Sequence, residues 1–154
     1  MSKDCEPVIL IAEDNEDDVF MLRRAFARIA VQAPVHVVSN GEQAIAYLKG
    51  VGTFANRQAY PLPDIVLLDL KMPRKNGFDV LQWWQEQPHL SAIRIVVLTS
   101  SEEVRDVTKA YKLGAASFLF KSLTYPILSM YQYWRNNIHR QNSRDSVRQA
   151  LGLC

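Results

Sequence analysis

The chain has 154 residues, 48% hydrophobic and 22% charged, with a formal net charge of +2. These values fit one soluble globular domain able to bury roughly 68–70% of its unfolded surface without disulfide or metal, and they exclude disordered and fibrous classes. Cys5 and Cys154 stand at the two ends with no C-x-x-C spacing, which argues against zinc-binding, thioredoxin-like and disulfide-scaffold readings.

The first residues, MSKDCEP, carry acids and lack the apolar core of a signal peptide. No apolar stretch approaches the ~18 residues of a membrane helix. A cytoplasmic protein with no membrane partner is expected. Val8 to Ala12 then form a short apolar run, followed at once by Glu13 and Asp14. Five acids fall within positions 13–18. For Glu16, Asp17 and Asp18 the solvated start of a helix accounts for this, since acids complement the positive end of the macrodipole. It accounts less well for Glu13 and Asp14, which follow an apolar run directly. Val19, Leu22, Phe26 and Ile29 recur at helical spacing.

A second run, Val35 to Val38, precedes a helix marked by Ala44 and Leu48. Positions 49–64 (KGVGTFANRQAYPLPD) are too long for an ordinary αβ connection, and Gly50, Gly52, Pro61 and Pro63 predict an ordered loop there. Phe54 and Tyr60 are expected to pin that loop, the alternative being a partner surface. Ile65 to Leu68 form the third strand, directly followed by Asp69, and Phe78 with Leu81 mark the third helix. Ile93 to Leu98 form the fourth strand, followed by Thr99. Val104, Val107 and Tyr111 give the fourth helix, with Gly114 as its C-terminal cap. Phe118 to Phe120 form the fifth strand, followed by Lys121. A last helix over 124–139 aligns Ile127, Tyr131, Trp134 and Ile138.

Short, non-alternating apolar runs separated by helices predict an α/β fold. The expected form is a doubly wound five-stranded parallel sheet of order 2-1-3-4-5, a flavodoxin-like (βα)5 three-layer sandwich. Residues 1–139 are expected to form the domain. Residues 140–154 are expected to be a basic tail with no output domain, and the segment from Arg135 onward sets four arginines against Asp145. In such a sheet Glu13, Asp14, Asp69, Thr99 and Lys121 meet on one edge. Carboxylates gathered within ~4 Å repel by several kcal/mol at an effective dielectric near 20, and a hard cation such as Mg2+ relieves this best.

These residues carry a resemblance. Glu13-Asp14, the DLKMPRKNG stretch from Asp69 to Gly77, Leu98-Thr99-Ser100 and Phe118-Leu119-Phe120-Lys121 look like the receiver domain of two-component response regulators. The match runs over roughly residues 7–139. The long loop and the AEDNEDD stretch look closest to single-domain regulators similar to phytochrome-linked ones. The resemblance implies that Asp69 accepts a phosphoryl group from a sensor histidine kinase, of phytochrome-linked or hybrid kind. It implies Mg2+, with Mn2+ as a substitute, on Asp14, Asp69, the backbone carbonyl of Lys71 and Glu13, the last directly or through water. Lys121 and Thr99 would meet the phosphoryl group, and Phe118 stands where the family keeps a switching aromatic, core filling being the alternative. Output would pass by protein contact to a downstream target, not through nucleic acid. The fourth helix, fifth strand and fifth helix, with Tyr125, Tyr131, Tyr133 and Trp134, would form a homodimer or docking face.

Two departures stand out. Glu13 replaces one aspartate of the family's acidic pair, and Lys121-Ser122 replaces Lys-Pro. A cis peptide costs ~2.5–4 kcal/mol before serine. Three other readings compete. An aspartate-nucleophile phosphatase needs a second acid where Lys71 stands. A flavin mononucleotide binder of the same topology would have its phosphate repelled by Glu13-Asp14-Asn15-Glu16. A degenerate receiver used only for contact would not need Asp69, Thr99 and Lys121 together.

Overall fold

The computed structural model describes residues 7–28, 34–100 and 104–121. Five parallel strands, β1 (Ile9–Ala12), β2 (Val35–Val38), β3 (Ile65–Asp69), β4 (Arg94–Thr99) and β5 (Ser117–Phe120), form one sheet of order β2-β1-β3-β4-β5. This is the predicted doubly wound order. Strand boundaries shift by a residue: Asp69 and Thr99 are the last residues of their strands instead of the first beyond them. The expected fifth helix over 124–139, the tail 140–154 and the Lys121-Ser122 peptide lie outside the described residues.

The apolar runs do not alternate because both faces of the sheet are covered. Ile9, Ile11, Ile65, Leu67, Val96 and Leu98 face α1 (Glu16–Arg28), packing with its Leu22 and Phe26. Their neighbours Leu10, Ala12, Val66, Leu68, Ile95 and Val97 face the opposite way. There they meet α2 (Gly41–Lys49), α3 (Gly77–Gln85) and Ala110 of α4 (Val104–Lys112). Successive residues of a strand point to opposite sides, so a strand between two helical layers must be apolar throughout. Among the described residues no helix is long and apolar enough to cross a membrane.

The helix ends follow their sequence signals. Asn76 and Asp79 form a reciprocal capping box at the start of α3, their side chains accepting from each other's amides at 2.9 and 3.1 Å. Gly50 closes α2 with φ 68°, a left-handed conformation that glycine adopts without strain. Gly114, φ 95°, follows α4 as expected.

The long 49–64 connection is ordered, with a 3₁₀ turn at Gly52–Phe54. Arg57 fastens it. Its guanidinium donates to the carbonyls of Tyr47 and Leu48 at 2.8 and 2.9 Å, and to that of Tyr60 at 3.3 Å. The last carbonyls of α2 are thus satisfied from within the loop. Phe54 and Tyr60 pack against Tyr47, one tilted and one edge-on, with ring centroids 5.1 and 6.0 Å away. Tyr47 is itself fully buried, its hydroxyl donating to the Pro61 carbonyl at 2.9 Å. The two aromatics pin the loop.

Candidate functional site

Parallel strands end on the same edge, so β1, β3, β4 and β5 deliver their terminal residues to one place. Strand order reverses at β1, which has β2 on one side and β3 on the other. The crevice opens where those connections diverge. Glu13 follows β1, and its amide bonds the Val38 carbonyl at 3.0 Å. Asp69 ends β3. Thr99 ends β4, and its carbonyl accepts the Lys121 amide at 3.0 Å, tying the ends of β4 and β5 together.

Ligand atoms of Glu13, Asp14 and Asp69 all lie within 4.8 Å of one another. Glu13 and Asp69 are buried, at 1% and 3% exposure, whereas Asp14 faces solvent. The Lys121 ammonium reaches in among them, 2.8 Å from Glu13 Oε2 and 3.2 Å from Asp69 Oδ2. It also lies 3.0 Å from Asp18 Oδ2, to which it donates a hydrogen bond.

Burial dominates the electrostatics. It pushes the Glu13 carboxyl up to about 7, against the pull of Lys121 and the Asn15 amide, with the neighbouring Asp69 charge adding to the rise. Burial likewise raises Asp69, while Lys121, the Lys71 amide and Glu13 hold it down in part. For Lys121 burial works against the charged form, but Glu13, Asp18 and Asp69 outweigh it and the ammonium is held charged above its ordinary range. Three carboxyl groups meet one ammonium, and Asp14 adds a fourth acid to the crevice.

A divalent cation fits this donor set. The oxygens are hard, and two of the three acids are buried. Glu13 Oε2 makes no hydrogen bond, its contact with the ammonium lacking hydrogen-bond alignment. Oxygen ligands of this kind suit Mg2+ or Mn2+.

The loop from Lys71 to Asn76 is shaped to the site. The Lys71 amide donates to Asp69 Oδ1 at 3.2 Å, which fixes one carboxylate oxygen and leaves Oδ2 toward Lys121. The Gly77 amide closes the loop onto the Leu70 carbonyl at 3.0 Å, and a Cβ on Gly77 would meet the Asp69 carbonyl oxygen at 2.5 Å. Arg74 has φ 61° between the Pro73 carbonyl and the Lys75 amide, which bond at 2.9 Å. A positive φ at the centre of such a tight turn is uncommon for a side-chain-bearing residue.

Glu13, Asp14, Asp69 and Lys121 therefore gather on one edge, where Thr99 also ends its strand. Thr99 is buried at 2% exposure. Phe118, opposite Val97 in the ladder, is half-buried and packs against the core on the α2–α4 face. Sequence reasoning assigned Asp18 to a solvated helix start, yet it touches Lys121. Its place in the first turn of the helix that directly follows the Glu13-Asp14 pair was the available signal.

Residues 9–129 match the family described as response regulator receiver domain. Response regulator Rcp1 of Synechocystis sp. is 33% identical over 124 residues, covering 79% of this chain and 82% of that protein. Among solved structures, response regulator RPA3017, in red light signaling of R. palustris, superposes with a TM-score of 0.77 at 34% identity. That alignment covers 83% of this chain and 93% of RPA3017. The Mn(2+)-bound form of Rcp1 gives a TM-score of 0.71 at 32% identity, over 83% and 91% of the two chains. With the parallel sheet, the acid cluster and the strand-end lysine already in place, these matches establish that the chain belongs to the response regulator receiver domain family, whose members signal through phosphorylation.

Proposed function

We propose that Asp69 is the phosphoryl acceptor and that the chain works as a single-domain response regulator. The observation that carries this reading is the buried Asp69 carboxylate at the end of β3, clustered with two other acids and 3.2 Å from an ammonium. An Asp69 oxygen attacks the phosphorus of a phosphohistidine on a sensor kinase. The P–O bond forms as the P–N bond breaks, and the imidazole leaves with the electron pair. Phosphoryl transfer demands alignment and neutralisation of charge on the equatorial oxygens more than covalent assistance. Lys121 supplies one positive charge suited to that task, and Thr99 bonds the phosphoryl group once present.

Asp14, Asp69, the Lys71 carbonyl and Glu13 would hold Mg2+ or Mn2+, which supplies charge neutralisation and orients the phosphoryl oxygens. The manganese form of the related Rcp1 supports this choice of ion. Because Asp14 alone of the three acids is exposed, Asp14 is the residue an incoming hydrated ion meets first. The chain is an acceptor whose only reaction is its own phosphorylation and slow hydrolysis of the acyl phosphate. Lys71 at the position of the phosphatase's second acid supports this.

The kinase is of sensor histidine type. The red-light context of RPA3017 supports a phytochrome-linked one. Output passes to a protein target, in the cytoplasm, through residues 1–139, with the basic tail 140–154 outside that domain. Phosphorylation strengthens a homodimer or docking contact through α4, β5 and the expected fifth helix, with Phe118 reporting the state of the site. Tyr111 on α4 is 48% exposed, which agrees with an unfilled surface there.

The test is incubation with acetyl phosphate and Mg2+ followed by mapping of the labelled residue. Asp69 carries the label, Asp69→Asn abolishes it, and EDTA blocks it. Equal labelling of the variant would refute the assignment. Light scattering with and without phosphodonor tests the dimer, which a strict monomer in both states would exclude.

A further inference from the structure

The Lys121 ammonium is held from two directions. The strand ends supply Glu13 and Asp69, and α1 supplies Asp18. Asp18 is itself fixed by the start of α1. The Asn15 side-chain oxygen accepts the Asp18 amide at 3.1 Å, and the Asn15 carbonyl accepts the Val19 amide at 3.1 Å. The Asn15 amide in turn donates to Glu13 Oε1 at 3.1 Å. A closed circuit results: Glu13 to Asn15, Asn15 to Asp18, Asp18 to Lys121, and Lys121 back to Glu13. Asp18 is not one of the three acids grouped to hold a cation, and the phosphorylation chemistry above gives it no part.

Phosphorylation changes the partners unequally. Before transfer, Asp69 is an anion that attracts Lys121. After transfer its carboxylate is an acyl phosphate, and the charge has moved outward onto the phosphoryl oxygens. Glu13 lies deep and is one of the acids that would hold a divalent cation, which would compete with the lysine for it. Asp18 is one-third exposed and stands apart from the acid cluster, so its oxygen stays available to the ammonium. Lysine has a long, flexible stem, so an ammonium deprived of its two buried partners would otherwise sample many rotamers.

We propose that Asp18 is a positioning residue for the phosphotransfer, anchoring the Lys121 ammonium at the α1 side of the crevice while charge moves from Asp69 to the phosphoryl group. The inference rests on the assignment of Asp69 as acceptor. The anchor acts by hydrogen-bond geometry: an acceptor oxygen at position 18 is required, and its full negative charge is not.

Asp18→Ala and Asp18→Asn are compared with wild type in labelling by acetyl phosphate with Mg2+. Asp18→Ala is expected to slow labelling at saturating phosphodonor about tenfold, less than the roughly hundredfold of a full 1 Å misplacement because Glu13 and Asp69 still restrain the ammonium, with the KM for phosphodonor nearly unchanged. Asp18→Asn, which keeps an acceptor oxygen, restores most of the rate. In a Lys121→Met background Asp18→Ala has no further effect, because coupled residues are not additive. A wild-type rate for Asp18→Ala, equal slowing by Asp18→Asn, or a further tenfold loss in the Lys121→Met background would each overturn the inference. A wild-type protein unlabelled at Asp69 overturns the acceptor assignment, and the inference with it.

Discussion

Replacing Lys121 by Met removes the ammonium while keeping an unbranched side chain of similar reach. The wild-type crevice sets that ammonium against Glu13, Asp18 and Asp69 at 2.8, 3.0 and 3.2 Å. A divalent ion gathered by Glu13, Asp14 and Asp69 would therefore bind beside a positive charge. At a separation of roughly 5 Å the repulsion is about 1.7 kcal/mol at the dielectric of water and about 6.6 kcal/mol at an effective dielectric of 20. The lysine side chain is 17% exposed and solvent-facing Asp14 belongs to the cation site, so the lower end applies. About 2 kcal/mol corresponds to roughly thirtyfold in affinity.

The sign is opposite to that of an ordinary site-residue deletion. Lys121→Met should bind Mg2+ about ten- to thirtyfold more tightly while phosphorylation of Asp69 becomes slower. The experiment belongs near pH 8. Without the ammonium Glu13, already pushed up to about 7 by burial, holds its proton more strongly, and at neutral pH the ion must first displace it. Isothermal titration calorimetry at low ionic strength measures the affinity directly, since salt screens the effect. Unchanged or weaker Mg2+ binding would show that the lysine and the cation do not share this crevice.

Arg57→Ala should lower stability by about 2–3 kcal/mol, because charge-assisted bonds to the carbonyls of Tyr47 and Leu48 are lost from a half-buried position. A melting temperature lower by roughly 5–10 °C, with unchanged Asp69 labelling, is the expected outcome. Arg57→Lys should not restore it, since a point charge cannot span both carbonyls. Gly41→Ala would place a Cβ 2.1 Å from the Lys75 carbonyl oxygen, where the Gly41 amide now donates at 3.0 Å. The 71–76 loop must move, so weaker Mg2+ binding is expected along with a loss of roughly 1–3 kcal/mol in denaturant melts. His36 packs against the Tyr47 and Tyr60 rings, and its imidazole is held below the usual histidine range by burial and by the Arg23 charge. The unfolded chain then takes up that proton first, so stability falls as pH drops below about 6.5. Denaturant melts of His36→Leu at pH 7 and 5.5 should show a smaller acid-side loss than wild type.

The sheet and the candidate site were legible because both depend on what stands at the end of each strand. Val8 to Ala12 and Ile65 to Leu68 announce strands buried on both faces, and parallel pairing then carries their last residues to one edge. Once that edge exists, Glu13, Asp14, Asp69, Thr99 and Lys121 meet without further information from the chain. The length of the 49–64 loop was equally plain, as were the glycines and prolines that keep it from continuing as helix.

What the tertiary structure decided lies in contacts between segments whose sequence signals are each ordinary. Asp18 in isolation is one more acid at a helix start; its meaning depends on Lys121, 103 residues away. Arg57 is a loop arginine until the chain folds back and sets its guanidinium against the last carbonyls of α2. Gly41 opens a helix with no apparent need for glycine until the 71–76 loop arrives against it. Periodicity and strand-end position are local properties, so composition and order along the chain express them. Which cation closes which carbonyl, and which carboxylate steadies which ammonium, depends on distances that exist only after the sheet has brought the segments together.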